Sequence, residues 1–196
     1  MFLTTYTQTP SRGSSYIPTP EALCNSKLGL INIQNNDNEC FKYCLLYHQS
    51  EKKKHSDRVS ALKKLEDKYN WNGVGFPASF NDITTFENNN RVCVNIYSYN
   101  GEEINPIRLG AIAFVKNDNI NLLFIKGDNF NGHYVYIKKI ESLLSTVKNN
   151  KYQDRNYCPY CRKVIPAGEV YADHVYTKHY DSHNNCNLEL PEEGTK

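Results

Sequence analysis

Cys158-Pro159-Tyr160-Cys161, followed after twelve residues by His174 and after four more by His179, limits what the C-terminal part of this chain can fold into. Two thiolates two residues apart sit on a tight turn and can grip one ion. Two imidazoles at i, i+5 leave one face of a helix end and complete a tetrahedron. Ile165 and Tyr171 fall where a small hairpin-plus-helix unit needs apolar residues. A unit of about 30 residues cannot hold itself together by burial alone, so a metal would serve as its core. The spacing predicts a ββα zinc finger over residues 155–183 with Cys158, Cys161, His174 and His179 as Zn(2+) ligands. His183 and Cys186 lie just beyond and are alternatives to His179 as fourth ligand.

Zinc does not by itself imply base reading. A DNA-reading finger contacts bases from helix positions −1, 3 and 6. Counted back from His174, these are Ala167, Val170 and Asp173, with Glu169 beside them. None is an Arg, Asn or Gln able to make a bidentate base contact, and the two carboxylates would face phosphates. The expectation is a structural clip with a protein partner, and at most a weak contact to nucleic acid.

The chain has 196 residues, enough for one domain with a real core plus a small appendage. Its net charge of +2, from 23 basic and 21 acidic residues, supplies no strong drive toward nucleic acid. Fifteen Tyr and eight Phe against one Met and one Trp indicate an aromatic, strand-rich core. Seven cysteines, an odd number with two in metal-type spacing, point to an intracellular, reducing compartment, nucleus or cytoplasm. No apolar leader and no membrane-length apolar run is present in the sequence, so no membrane association is expected.

Residues 1–25 are rich in Thr, Ser, Pro and Tyr without periodicity and are expected to be a flexible tail, as are residues 187–196. Between them, residues 26–148 read as an α+β core. Leu28–Gln34 reads as a strand, and Asn35-Asn36-Asp37-Asn38 supplies helix caps. Helices are expected over Cys40–Gln49, over Asp57–Tyr69, and after a Ser79 cap with Asp82 at N3. Period-two patterning then predicts strands over Arg91–Tyr99, Ile104–Leu109, Ile112–Lys116, Ile120–Lys126 and His133–Lys138, and Ile140–Val147 reads as a closing helix. Helices followed by strands predict an antiparallel sheet in an α+β layout.

Cys40 stands where a helix begins, a position whose N–H groups and dipole favour a thiolate. Far along the chain, His133 opens an amphipathic strand. A cysteine at a helix start paired with a histidine on a distant strand is the papain-like arrangement, in which the imidazole takes and returns the thiol proton. Asp128, Asn129 and Asn131 are all candidates to orient the imidazole. Asp37, Cys40 and Phe41, then His133 and Tyr134, resemble the ovarian-tumour-domain cysteine proteases, as does Asp82-Ile83-Thr84-Thr85-Phe86 followed by Val92 to Tyr97. That resemblance implies a peptidase or isopeptidase with Cys40, His133 and Asp37 as its catalytic group and a ubiquitin-like substrate. The chain departs from the family in having Asn38-Glu39 before the cysteine instead of Gly-Asn, and an acidic neighbour opposes thiolate formation.

A second resemblance covers roughly Leu28 to His179. The run Leu30–Tyr43, with Asp57–Ser60, Trp71–Pro77, Ile120–Leu123, His133–Ile137 and the Cys/His finger, is similar to a region of proteins encoded by Maverick/Polinton-type transposons and related viruses. There the region often precedes a protein-primed family B DNA polymerase. The resemblance implies an accessory role in mobile-element or viral DNA replication. The Asp-Thr-Asp type motif that holds the polymerase metals is absent from this sequence, so polymerisation is not expected. A stand-alone accessory region or a truncated relic is the expectation.

Overall fold

The computed structural model describes residues 12–13, 15–50, 55–127, 131–147, 157–158, 160–161, 163–165 and 169–181. In chain order the elements are β1 (Arg12–Gly13), β2 (Leu30–Ile31), α1 (Cys40–Gln49), α2 (Val59–Leu62), α3 (Phe80–Asn90), β3 (Cys93–Tyr99), β4 (Ile104–Arg108), β5 (Asn119–Lys126), β6 (Asn131–Ile137), α4 (Ile140–Val147), β7 (Tyr157–Cys158), β8 (Lys163–Val164) and α5 (Tyr171–Val175). The α+β class holds, but the sheet is mixed. Its order is β1-β6-β5-β3-β4, with β2 also on β6. The β3–β5 and β1–β6 pairs are parallel, and β5–β6, β3–β4 and β2–β6 are antiparallel.

Among the strands expected from the sequence, the antiparallel order fails at the β3–β5 pair. The hairpin partner β4 takes one edge of β3, so β5 has to pair along the other edge. It reaches that edge only by crossing over, through a 3₁₀ turn at Ile112–Phe114 in place of the expected strand over Ile112–Lys116. The N–H groups of Gly110 and Ala111 leave the ladder for the side chains of Asn95 and Glu87, both at 2.9 Å.

Both faces of the sheet are covered. Ile120, Leu122, Phe124, Tyr134 and Tyr136 pack with α1 and α3, while Leu123, Ile125, Val135 and Ile137 pack with Ile140 and Leu143 of α4. Burial on both faces accounts for the nearly continuous apolar runs of β5 and β6, where an exposed sheet would alternate. Helix α1 is buried from Cys40 to Tyr47, not on one face only. Its single buried cation, Lys42, is matched by Glu39 at 2.8 Å and Glu66 at 2.7 Å. Helix α3 carries the predicted capping box: the Ser79 N–H donates to Asp82 at 2.8 Å, and the Asp82 N–H donates to Ser79 Oγ at 3.3 Å.

Two further expectations are corrected. The segment assigned to a flexible tail contributes to the fold at Arg12–Gly13 and again within 15–25: β1 joins the sheet, and Leu23, in a 3₁₀ turn, is buried beside Leu28. The helix expected over Asp57–Tyr69 is one α-turn, α2, continued as a 3₁₀ turn over Lys63–Lys68. Residues 187–196 and the lysines at 52–54 lie outside the described residues. Among the described residues no helix is long and apolar enough to cross a membrane.

Candidate metal centre

Strands β7 and β8 form a two-stranded antiparallel hairpin, with Tyr157 opposite Val164 and Cys158 opposite Lys163. The turn between them presents Cys161. Helix α5 follows and presents His174, and the next turn, Tyr176–Asp181, is wound as a π-helix carrying His179. One ligand atom from each of Cys158, Cys161, His174 and His179 lies within 4.8 Å of all the others. Cys158 Sγ is 3.3 Å from His179 Nε2, and Cys161 Sγ is 3.5 Å from His174 Nε2. A tetrahedral ion with metal–sulfur and metal–nitrogen bonds of ordinary length separates sulfur from nitrogen by about 3.5 Å. The donor set therefore fits a divalent cation in both chemistry and spacing. His183 and Cys186 lie outside the described residues.

The surroundings orient the ligands. His174 Nδ1 lies 3.1 Å from Glu169 Oε1, which fixes the tautomer that leaves Nε2 as the donor toward a metal. The Tyr160 ring stacks on His179 with centroids 5.5 Å apart. Burial pushes the Cys158 thiol up to about 11, while the N–H groups of Cys161 and Tyr160, aimed at the sulfur, act in the opposite direction. A bound cation would hold that sulfur as thiolate. Glu169 was legible only as an acidic neighbour in the sequence; its role depends on a contact five residues along that the spacing rule does not contain.

The Cys/His unit is not a free appendage. Cys158, Ile165 and Val175 form one buried cluster with Cys93 of β3 and Val115 of the crossover. The Tyr160 hydroxyl donates to the Gly110 carbonyl at 3.4 Å, and Lys116 pairs with Asp173 at 3.0 Å beneath the Tyr176 ring. Asp173 of α5 is thus engaged with Lys116, and Glu169, two residues before the helix, with His174. Val170, at a position a base-reading finger would use, is an exposed apolar side chain.

Cys40 and His133 are placed differently. Cys40 is 1% exposed, with burial pushing its thiol up to about 12 and the Asp37 charge adding to the rise. It belongs to the cluster of Tyr134 and Tyr136. His133 has the opposite parity on β6, that of Val135 and Ile137. Successive residues of a strand face opposite sides, so His133 lies on the face away from Cys40. There its Nε2 is 2.8 Å from Asn32 Oδ1 and its ring meets Tyr16 edge-on at 5.7 Å. Asp37 is taken up at the start of α1, accepting from Tyr43 Oη at 2.6 Å and from the Glu39 N–H at 3.1 Å. The structure therefore does not assemble the expected Cys40–His133–Asp37 group. Asn131 is exposed, and Asp128 and Asn129 lie outside the described residues. Comparison with protein-family models, with curated proteins and with solved structures finds no match for this chain.

Proposed function

We propose that this chain is a zinc-stabilised binding module, with protein as its partner, acting as an accessory in mobile-element or viral DNA replication. The observation that carries the reading is the convergence of two thiols and two imidazole Nε2 atoms within 4.8 Å, in a hairpin-plus-helix unit docked on an α+β core. Zinc is favoured over harder cations because thiolate and imidazole donors in a closed four-ligand set suit a borderline-soft tetrahedral ion. The accessory role rests on the resemblance to the Maverick/Polinton region. A protein partner is favoured by the exposed apolar Val170.

A peptidase role needs an accessible Cys40 thiolate facing His133. The burial of Cys40 and the parity of His133 both weigh against it.

Metal analysis of the purified chain, with X-ray absorption at the zinc edge, tests the metal half. One zinc per chain in an S2N2 shell supports it, and a sulfur-free shell or no metal refutes it. Fluorescence anisotropy with duplex and single-stranded DNA tests the partner half. Weak, sequence-indifferent, salt-suppressed binding is expected; tight sequence-selective binding would overturn it.

A further inference from the structure

Strand β2 hydrogen-bonds only the far end of β6, at Tyr136 and Ile137. The near end of the same edge, Asn131–Gly132, is taken by β1, which runs parallel to it with Gly13 opposite Gly132. The Gly13 N–H donates to the Ala78 carbonyl at 3.2 Å, and the Tyr134 hydroxyl donates to that same carbonyl at 3.4 Å. A β-carbon built on Gly13 would come within 2.3 Å of the Tyr134 ring and 2.9 Å of Cys40 Sγ. No side chain fits there without moving a fully buried aromatic ring. Arg12 beside it is exposed, and Gly13 is buried.

These contacts are those of a peptide-binding slot: one open strand edge, one opposing carbonyl, and a floor that admits only glycine. The slot is filled in cis. The chain that follows is tied down separately, by the Tyr16 N–H on the Asn35 carbonyl at 3.1 Å and by Asn32 Nδ2 on the Ile17 carbonyl at 2.9 Å.

We infer that the cleft between Cys40, Tyr134 and Ala78 is a binding slot for extended, glycine-containing peptide, occupied in cis by Arg12–Gly13, and that this strap shields the Cys40 thiol. The inference does not rest on the zinc reading.

Site-resolved alkylation by iodoacetamide, read by peptide mass spectrometry on the purified full chain, tests it. In a chain beginning at residue 15, Cys40 alkylates about tenfold faster or more than in the full chain, because the local opening that limits access is already made. A synthetic peptide of residues 8–18 restores protection, and the same peptide with Gly13→Ala does not. Equal Cys40 rates in the two folded chains, or equal protection by the two peptides, would overturn the proposal. Hydrogen exchange on the intact chain serves if the shortened chain does not fold. The Gly13 amide then exchanges well ahead of the Leu45 and Leu46 amides of α1, and matching protection at the three sites would overturn the proposal.

Discussion

Glu87 and Arg108 form an ion pair inside the protein: the Glu87 side chain is 1% exposed and the Arg108 side chain 12%. Both groups also bond beyond the pair. Glu87 Oε1 also accepts the N–H of Val94 at 2.6 Å and of Ala111 at 2.9 Å, and Arg108 donates to the Val94 carbonyl at 2.8 Å and to Thr84 Oγ1 at 2.9 Å. The pair joins α3 to β3, β4 and the start of the crossover. Truncating one partner leaves the other charge buried. Glu87→Ala is expected to cost roughly 3–5 kcal/mol of stability in urea unfolding. A loss below about 1 kcal/mol would mean that the pair is not sealed from water.

Cys158→Ser is expected to lose about one zinc equivalent, since three ligands hold a structural zinc poorly. Cys93→Ser keeps the metal, although Cys93 lies in the same buried cluster. Retained zinc in the first variant would refute the ligand assignment.

Because the finger shares that cluster with Cys93 and Val115, chelation should reach beyond residues 157–181. Trp71, the only tryptophan, packs against Phe86 in the main core and reports that core by fluorescence. Its thermal transition is expected to fall by at least about 3 °C when zinc is removed, the shift that roughly 1 kcal/mol makes in a chain of this size. Tyr160→Ala should lower the same transition with zinc still bound. An unmoved transition in both experiments would mean that the finger is an independent unit.

Burial alone would raise the Asp37 carboxyl, but hydrogen bonds from Tyr43, Asn35 and the Glu39 N–H outweigh it and hold the carboxyl below its ordinary value. The stability from this carboxylate is therefore present above the unfolded value of about 3.9 and lost as pH falls through the lower folded value. Tyr43→Phe is expected to cost roughly 1 kcal/mol at pH 7, a figure already discounted for the partly exposed carboxylate. The gap to the parent chain narrows below about pH 4. A gap independent of pH would assign the loss to packing instead.

With the Cys40 thiol pushed up to about 12 by burial, its alkylation should go on rising with pH past 8.5, without the levelling that an ordinary cysteine shows there. His133→Ala should leave that profile unchanged. Acceleration at lower pH that the substitution abolishes would restore the Cys–His pair.

What was legible in the sequence was what neighbours along the chain decide. Ser79 and Asp82 cap α3 from three residues apart, and the metal-ligand spacing lies within 22 residues. Helix α1 begins and ends as its apolar pattern requires. The Asp57–Tyr69 reading failed because Val59, Leu62 and Leu65 repeat every three residues, a spacing a 3₁₀ turn serves as well as an α-helix. Strand β3 starts two residues later than expected because Arg91, at φ 54°, ends α3 in the left-handed region. The Ile112–Lys116 misreading and the parallel pairing of β3 with β5 have a different cause. Both depend on partners far along the chain, Glu87, Asn95 and the occupied edge of β3, which no local pattern encodes. The same holds for Cys40 and His133. Each looked suited to its role locally, and strand parity against a helix some ninety positions earlier decided otherwise.

The pairing of β1 and β2 with β6 also fixes an order of events during synthesis. Asn32 meets His133, 101 positions later. At ribosomal rates of about 5–20 residues/s, that partner follows roughly 5–20 s after Asn32 is made. For that interval the outer edge of the sheet has no strand to join, and α1, buried on nearly all sides in the finished protein, has no sheet to cover. The N-terminal segment must therefore be carried as an unpaired, apolar-flanked tail until β6 emerges, the period in which a nascent chain of this topology is most in need of a chaperone.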